Sequence, residues 1–432
     1  MYDIALMNGN VYQDQTLQKI NVYIKNGMIA CLSDAIHDAK ETLDIEGKEV
    51  FPGIIDPHVH FDLDLGHIRS KDDFYHGSKA ALFGGVTTVV DFLEPTTNKD
   101  DLLMALKRRL EEAKATLIDV KFHACIANPK GDLEAYVQAM KRLGLNTLKL
   151  FTTYSESNRR TNYKAIKRLL QLSRPYDFLL LGHLETDNLI TLDPAFTVKD
   201  LPRSRPTKAE TQEAAKIAEM VEETHGKLYM VHCSSGQTIK YLKNHHQNIL
   251  NKDMFIESCP QYFTFTDAML DSKEGALYTC APPLRSASEQ SLLKEHIDDI
   301  DTIGTDHCAF NKADKEKPHL KDVPLGIGSI EHVFQLMYTM FGLKVVDKMT
   351  ITPAKRFKLE KKGKINVGYE ADLFVYEKNP TTIKTHHGAT DYNPYEGQPV
   401  NGEIIHTIKS GQFSLKDKQL CKRIPQGRWL SF

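Results

Sequence analysis

What most constrains this chain is an alternation running through its middle: apolar runs of strand length are followed by stretches with apolar residues at helical spacing. Thr87-Thr88-Val89-Val90-Asp91-Phe92 precedes residues 100–114, where Leu102, Leu103, Leu106 and Leu110 fall at helical intervals. Residues 147–151, 178–183 and 227–232 read as further strands, and helices are predicted over 164–172 and 208–224. Strand and helix taken in turn predict an α/β fold with a parallel sheet. Periodicity leaves open whether that sheet closes into a barrel. No P-loop or G-x-G-x-x-G follows the first of these strands, so a nucleotide-binding fold has no support.

The two ends have another texture. Ile4-Ala5-Leu6-Met7 and Asn21-Val22-Tyr23-Ile24 are strand-like runs stopped by Asn-Gly turns, and the same pattern returns at residues 371–376 and 402–408. One small β-rich domain assembled from both ends is therefore expected. The tail Ile424-Pro425-Gln426-Gly427-Arg428-Trp429 reads as an arm laid on a surface. A net charge of -2 gives no electrostatic reason for a nucleic-acid or anionic-membrane partner. No apolar run approaches the roughly 20 residues of a membrane span, and the polar residues within 1–20 do not suit a signal peptide. Seven scattered cysteines, none spaced C-x-x-C, argue against a disulfide framework or a thiolate zinc site, and a cytoplasmic location is expected.

The chemistry concentrates where predicted strands end. In Asp56-Pro57-His58-Val59-His60, residues two apart on an extended strand face the same side, so His58 and His60 can offer two imidazoles to one cation. His183 ends one later strand, His232 another, and Asp306 follows Thr302-Ile303-Gly304-Thr305. Each alone is more often a structural group than a ligand. Four strand ends bearing His-x-His, His, His and Asp together make a nitrogen-rich metal site with one carboxylate base. Lys149, inside Leu148-Lys149-Leu150-Phe151, reads from sequence as a lysine snorkelling at a strand end. Carbamylated by carbon dioxide, it would instead be an anion able to bridge two metals.

These residues resemble the cyclic amidases of the amidohydrolase superfamily, most closely the dihydropyrimidinase and hydantoinase branch. The likeness runs almost end to end, through Pro52-Gly53-Ile54-Ile55-Asp56-Pro57-His58-Val59-His60, Leu148-Lys149-Leu150-Phe151-Thr152-Thr153-Tyr154, Ser258-Cys259-Pro260-Gln261-Tyr262 and Gly304-Thr305-Asp306-His307-Cys308. The resemblance implies a (β/α)8 TIM-like barrel over 51–364 and a small β-sandwich built from 1–50 and 365–432. It implies two divalent metal ions, expected to be zinc: one on His58, His60 and Asp306, the other on His183 and His232, with N6-carboxylated Lys149 bridging them. Asp306 and Tyr154 would be catalytic, and Tyr154 with backbone groups near Ala281 and Leu325 would hold the substrate. The implied reaction opens a hydantoin or dihydropyrimidine type ring to an N-carbamoyl amino acid with a metal-activated hydroxide, in a homodimer or homotetramer.

This chain departs from the family's pattern in three places: His183-Leu184-Glu185-Thr186-Asp187, Leu325 before Gly326-Ile327, and the loop 61–67. All bear on the substrate, so allantoin and dihydroorotate remain alternative rings. A non-catalytic scaffold on the same fold is the remaining class, and the filled ligand positions argue against it. Cys233 and Cys308 read as packing residues. His245-His246 and His386-His387 read as surface pairs, while His307 and Glu185 are candidates to orient the ligands.

Overall fold

The computed structural model describes residues 1–432. Eight parallel strands follow one another in chain order, each hydrogen-bonded to the next: β1 Ile54–Val59, β2 Val86–Phe92, β3 Asp119–Cys125, β4 Thr147–Phe151, β5 Leu179–His183, β6 Leu228–Met230, β7 Met254–Ser258 and β8 Thr302–Ile303. Beyond β8 the chain returns to β1. His307 bridges Val59, and His60 N–H donates to the His307 carbonyl at 2.8 Å. That contact brings the two ends of the sheet together into a (β/α)8 barrel.

Strands covered on both faces read as unbroken apolar runs, which is why β2 and β4 were visible in the sequence. Inside the barrel Ile55, Val90, Leu181, Tyr229 and Phe255 meet Phe357 and Leu359 from the segment after Ile351–Arg356. Outside, a large apolar cluster seats the helices. The predicted helices are observed at Leu102–Glu112, Tyr163–Ser173 and Thr207–Thr224. Several helices begin on a side chain that accepts from a free N–H: Asp73 from His76, Asn162 from Ala165, Ser235 from Thr238. The strand predicted over 227–232 stops at Met230, so His232 stands on the loop beyond it.

Two further sheets draw on residues near both ends. One has four strands within 2–44; the other joins Asn10–Gln13, Thr16–Lys19 and Glu49–Pro52 to four strands within 373–420. Glu49–Pro52 pairs antiparallel with Leu373–Tyr376. Ile4, Leu6, Val22 and Ile24 of one sheet pack on Val50, Leu373, Val375 and Ile408 of the other, the core of a β-sandwich. The arm expected at the tail lies on the barrel itself: Trp429 bridges Val120, and Phe432 N–H donates to the Gly144 carbonyl at 2.8 Å.

Candidate active site

The residues singled out from the sequence meet at the carboxyl ends of the strands, the end at which barrels of this kind carry their sites. His58 Nε2, His60 Nε2 and Asp306 Oδ1 form a triangle 3.2 Å on each side. His183 Nδ1 and His232 Nε2 lie 3.0 Å apart. The His58 and His232 rings, 5.4 Å between centroids, join the two groups. Lys149 is 3% exposed, with Nζ 5.1 Å from the Phe92 ring and 5.4 Å from Phe151.

These spacings suit metal ions. Donors 2.0–2.1 Å from a tetrahedral ion stand about 3.3 Å from one another. The proton positions agree. His58 Nδ1 faces Glu257 at 2.8 Å, so it carries the hydrogen and leaves Nε2 with its lone pair in the triangle. His183 Nε2 faces Glu185 at 2.6 Å, which leaves the Nδ1 lone pair towards His232. His232 Nδ1 is buried without a partner. Burial pushes the imidazoles of His58 and His232 well below the usual histidine range, so both are neutral and able to ligate. Asp306 is half-buried, and the neighbouring His58, His60 and Lys149 outweigh its desolvation and hold its carboxyl below the ordinary value.

Local structure fixes these groups in conformations a free chain avoids. His232, Asp306 and Tyr154 have φ of 41°, 50° and 70°, in the left-handed region. His232 is held there by its N–H donating to Glu257 at 2.9 Å. Before Asp306, Thr305 donates to Asp56 through N–H at 3.0 Å and through its hydroxyl at 2.5 Å. Asp56, from the Asp-Pro-His motif, is buried and its carboxyl is pushed up to about 7. His307 receives N–H bonds at Nδ1 from Ser329 and Ile330, and its Nε2 faces Asp72 at 2.8 Å. It therefore braces the loop that carries Asp306.

Glu185 touches His183 and is itself paired with Arg205, whose guanidinium also lies over the Tyr154 ring at 4.9 Å. Burial raises the Tyr154 hydroxyl to about 12, so it stays a donor. Tyr154, Ala281 and Leu325 line one cavity of about 260 Å³ with His60, Lys149, His183, His232 and Asp306. Loop 61–67 contributes Leu63, Asp64 and Leu65 to the same wall.

Two partners escaped the sequence. Glu257 sits in Met254-Phe255-Ile256-Glu257-Ser258, and a carboxylate inside an apolar run was the signal that could have found it. Arg205 lies in a polar loop with no distinguishing pattern. The packing reading of Cys233 and Cys308 agrees with their burial, which pushes both thiols up. The surface reading holds for exposed His245 and needs correction for His246 and His387. His246 is buried, 3.1 Å from Glu222, and His387 stacks on Phe83 with its Nδ1 2.7 Å from Glu331. Each has an acid and an aromatic or helical surface to cover it.

Residues 50–413 match the model of the amidohydrolase family. The chain belongs to that family. Membership carries a binuclear metal centre, for which the clustered donors are the candidate ligands. Similar proteins include a D-hydantoinase of Geobacillus stearothermophilus, 30% identical over 98% of this chain and 95% of that one. A D-phenylhydantoinase of Escherichia coli (strain HS) is 30% identical over 99% and 97%. Among solved structures, a D-hydantoinase superposes with a TM-score of 0.92 at 27% identity, covering 100% of this chain and 98% of that one. A dihydropyrimidinase from Brevibacillus agri NCHU1002 gives 0.90 at 25% identity, with coverage of 100% and 98%. The resemblance read from the motifs thus extends over the whole fold. No helix is long and apolar enough to cross a membrane.

Proposed function

We propose that this chain hydrolyses a cyclic amide of the hydantoin or dihydropyrimidine type to an N-carbamoyl amino acid. The observation that carries this is the convergence of five donor side chains and Tyr154 on one cavity, with His58 3.2 Å behind His60, in a chain similar throughout to hydantoinases. His58, His60 and Asp306 would hold one divalent ion and His183 with His232 the other. Lys149, carboxylated on Nζ, would lie between them, and imidazole-rich donors favour zinc. When bound, the ions supply a water acidic enough to attack at neutral pH and polarise the ring carbonyl.

The protein's own groups do the rest. Asp306 presents Oδ1 to the triangle, leaving Oδ2 to accept the proton of the attacking water and deliver it to the departing ring nitrogen. The Tyr154 hydroxyl donates to the carbonyl oxygen as that oxygen gains negative charge. Backbone groups at Ala281 and Leu325 hold the ring against Tyr154. Glu257 and Glu185 keep His58 and His183 in the tautomers that ligate, and Arg205 keeps Glu185 ionised. Every donor of the set is filled, which disfavours a scaffold without activity. As in the resemblance, a homodimer or homotetramer is expected, to be read by light scattering.

The deciding experiment incubates metal-loaded protein with hydantoin, dihydrouracil, allantoin and dihydroorotate side by side and follows ring opening by ultraviolet absorbance. Hydantoin or dihydrouracil should be opened fastest; preference for dihydroorotate, or no turnover, would sink the reading. Tyr154→Phe should lower kcat by about 10²-fold with little change in KM, as expected for a donor engaged in the transition state. Asp306→Asn should cost about 10²- to 10⁴-fold, the range for a lost proton carrier. An unchanged kcat in either variant would remove that residue's role.

A further inference from the structure

Most charged side chains along the cavity have partners. Asp64 lies 3.1 Å from Arg69 and 3.2 Å from Arg108, and Arg109 lies 2.9 Å from Asp91 and 2.7 Å from Glu112. Arg159 also lines the cavity and is half-buried, yet its guanidinium forms no ion pair and no hydrogen bond. Its neighbour Arg160, by contrast, lies 3.5 Å from Asp187.

The backbone that carries Arg159 is tightly held. Left-handed Tyr154 and Asn158, with φ of 70° and 58°, turn the chain on itself, and Arg159 N–H donates to the Tyr154 carbonyl at 3.0 Å. Asn128 Nδ2 donates to Asn158 Oδ1 at 2.6 Å, and Ser155 N–H donates to Asp187 Oδ1 at 3.1 Å. The loop therefore brings position 159 back beside the tyrosine and holds it there. The same cavity carries the apolar side chains of Leu63, Leu65, Leu93 and Phe151. A cation fixed at its root, with a head that faces the cavity and carries no counter-charge, is open to pairing with an anion that a ligand brings. A planar carboxylate matches the guanidinium fork with two parallel bonds.

We infer that Arg159 selects rings whose exocyclic arm carries a carboxylate, an assignment that rests on the ring-opening reading above. The competing feature is Glu94, which lines the same cavity and has one oxygen buried without a partner. Arg108, 3.9 Å away, already offsets its charge, whereas Arg159 has no counter-charge. An anionic arm is therefore favoured over a cationic one.

The test uses metal-loaded protein and three hydantoins that differ only in the arm at the ring carbon: 2-carboxyethyl, 2-carbamoylethyl and 4-aminobutyl. The carboxyethyl ring should exceed the carbamoylethyl ring by about tenfold in kcat/KM, the size of one charge-assisted contact. Arg159→Ala should collapse that ratio to near one, and Arg159→Glu should give the advantage to the aminobutyl ring. Calorimetric titration with the ring-opened products reads the same selectivity without turnover: N-carbamoylglutamate should bind about tenfold more tightly than N-carbamoylglutamine, and only to the unsubstituted protein. Preference for either other arm, or a carboxylate preference that survives Arg159→Ala, overturns the assignment and leaves ring opening standing. If none of the three rings opens, the ring-opening reading falls and this assignment falls with it.

Discussion

Lys149→Ala is expected to keep fewer than one divalent ion per chain, where the metal-loaded protein should hold two, and to lose at least about 10³-fold in activity. The donor arithmetic gives the reason. One group has three donors, His58, His60 and Asp306; the other has only His183 and His232. Two imidazoles are one short of the usual three protein ligands of a catalytic zinc ion. A carbamate on Lys149 would complete the second group and add a ligand to the first. Lys149 is placed for this, buried beside Phe92 and Phe151 with no acid or carbonyl bonded to Nζ. Burial lowers its amine to about 8, which leaves a neutral fraction able to capture carbon dioxide. Metal analysis after exhaustive dialysis reads the first effect. Reloading stripped protein should be faster with bicarbonate than in carbonate-free buffer, and Lys149→Ala should show no such difference. A variant that retains both ions would end the bridging role.

Lys362→Met is expected to destabilise the fold by about 3–5 kcal/mol, the cost of leaving buried charges without their counter-ion. Lys362 is 3% exposed, with Nζ 2.9 Å from Asp119, 2.8 Å from Glu370 and 2.5 Å from Asp372. Lys409 reaches Asp119 at 3.0 Å, and Arg428 reaches Asp119 at 2.5 Å and Glu370 at 2.6 Å. The three acids are close enough to suggest a metal site, but the Lys362 ammonium already lies among them. Because Asp119 begins β3 and Lys362 precedes the sandwich strand that starts at Leu373, the cluster ties the barrel's base to the sandwich and to the tail. Burial would raise the Asp119 carboxyl, yet Lys362, Arg428 and Lys409 hold it well below the usual range. For Lys362 burial works downward, and the three acids more than reverse it. A depressed acid contributes stability above its unfolded value that is lost as pH falls. A raised lysine contributes below its unfolded value and loses it as pH rises. The cluster should therefore stabilise most between about pH 4 and pH 10. Chemical denaturation of the variant and the unsubstituted protein across that range checks both size and window; equal midpoints near pH 7 would refute the claim.

The sequence carried the donors and little of what aims them. His58 and His60 were legible because strand geometry is local: residues two apart share a face wherever the strand lies. His183, His232 and Asp306 were legible because apolar runs stop where barrel strands end. Which of them share an ion came from the family resemblance, since nothing local says that Asp306 meets His58 across the closure of the sheet. The same limit hid Glu257, which lies 199 positions from the histidine it orients. Extended runs predicted His232 at the end of a strand, yet the chain leaves the sheet at Met230 and turns through a left-handed residue. That turn depends on an acceptor supplied by β7. Amphipathic spacing found the helices to within a residue or two at most ends, whereas the caps and the sandwich's pairings rest on partners far along the chain.

The pairing of Glu49–Pro52 with Leu373–Tyr376 has a consequence for how the protein is made. The first half of the sandwich leaves the ribosome long before its partner strands exist. At about 5–20 residues per second, roughly 15–65 s of translation separate the two. Throughout that interval Ile4, Leu6, Val22 and Ile24 lack Leu373, Val375 and Ile408, and only the early strands that carry Val11 and Val50 can cover them. The barrel is synthesised during the wait, so its strands form beside an unfinished apolar surface that invites wrong pairing. Slower elongation would lengthen that exposure, and yield of folded protein should then depend on chaperones that shield the early strands more than on the stability of the finished molecule.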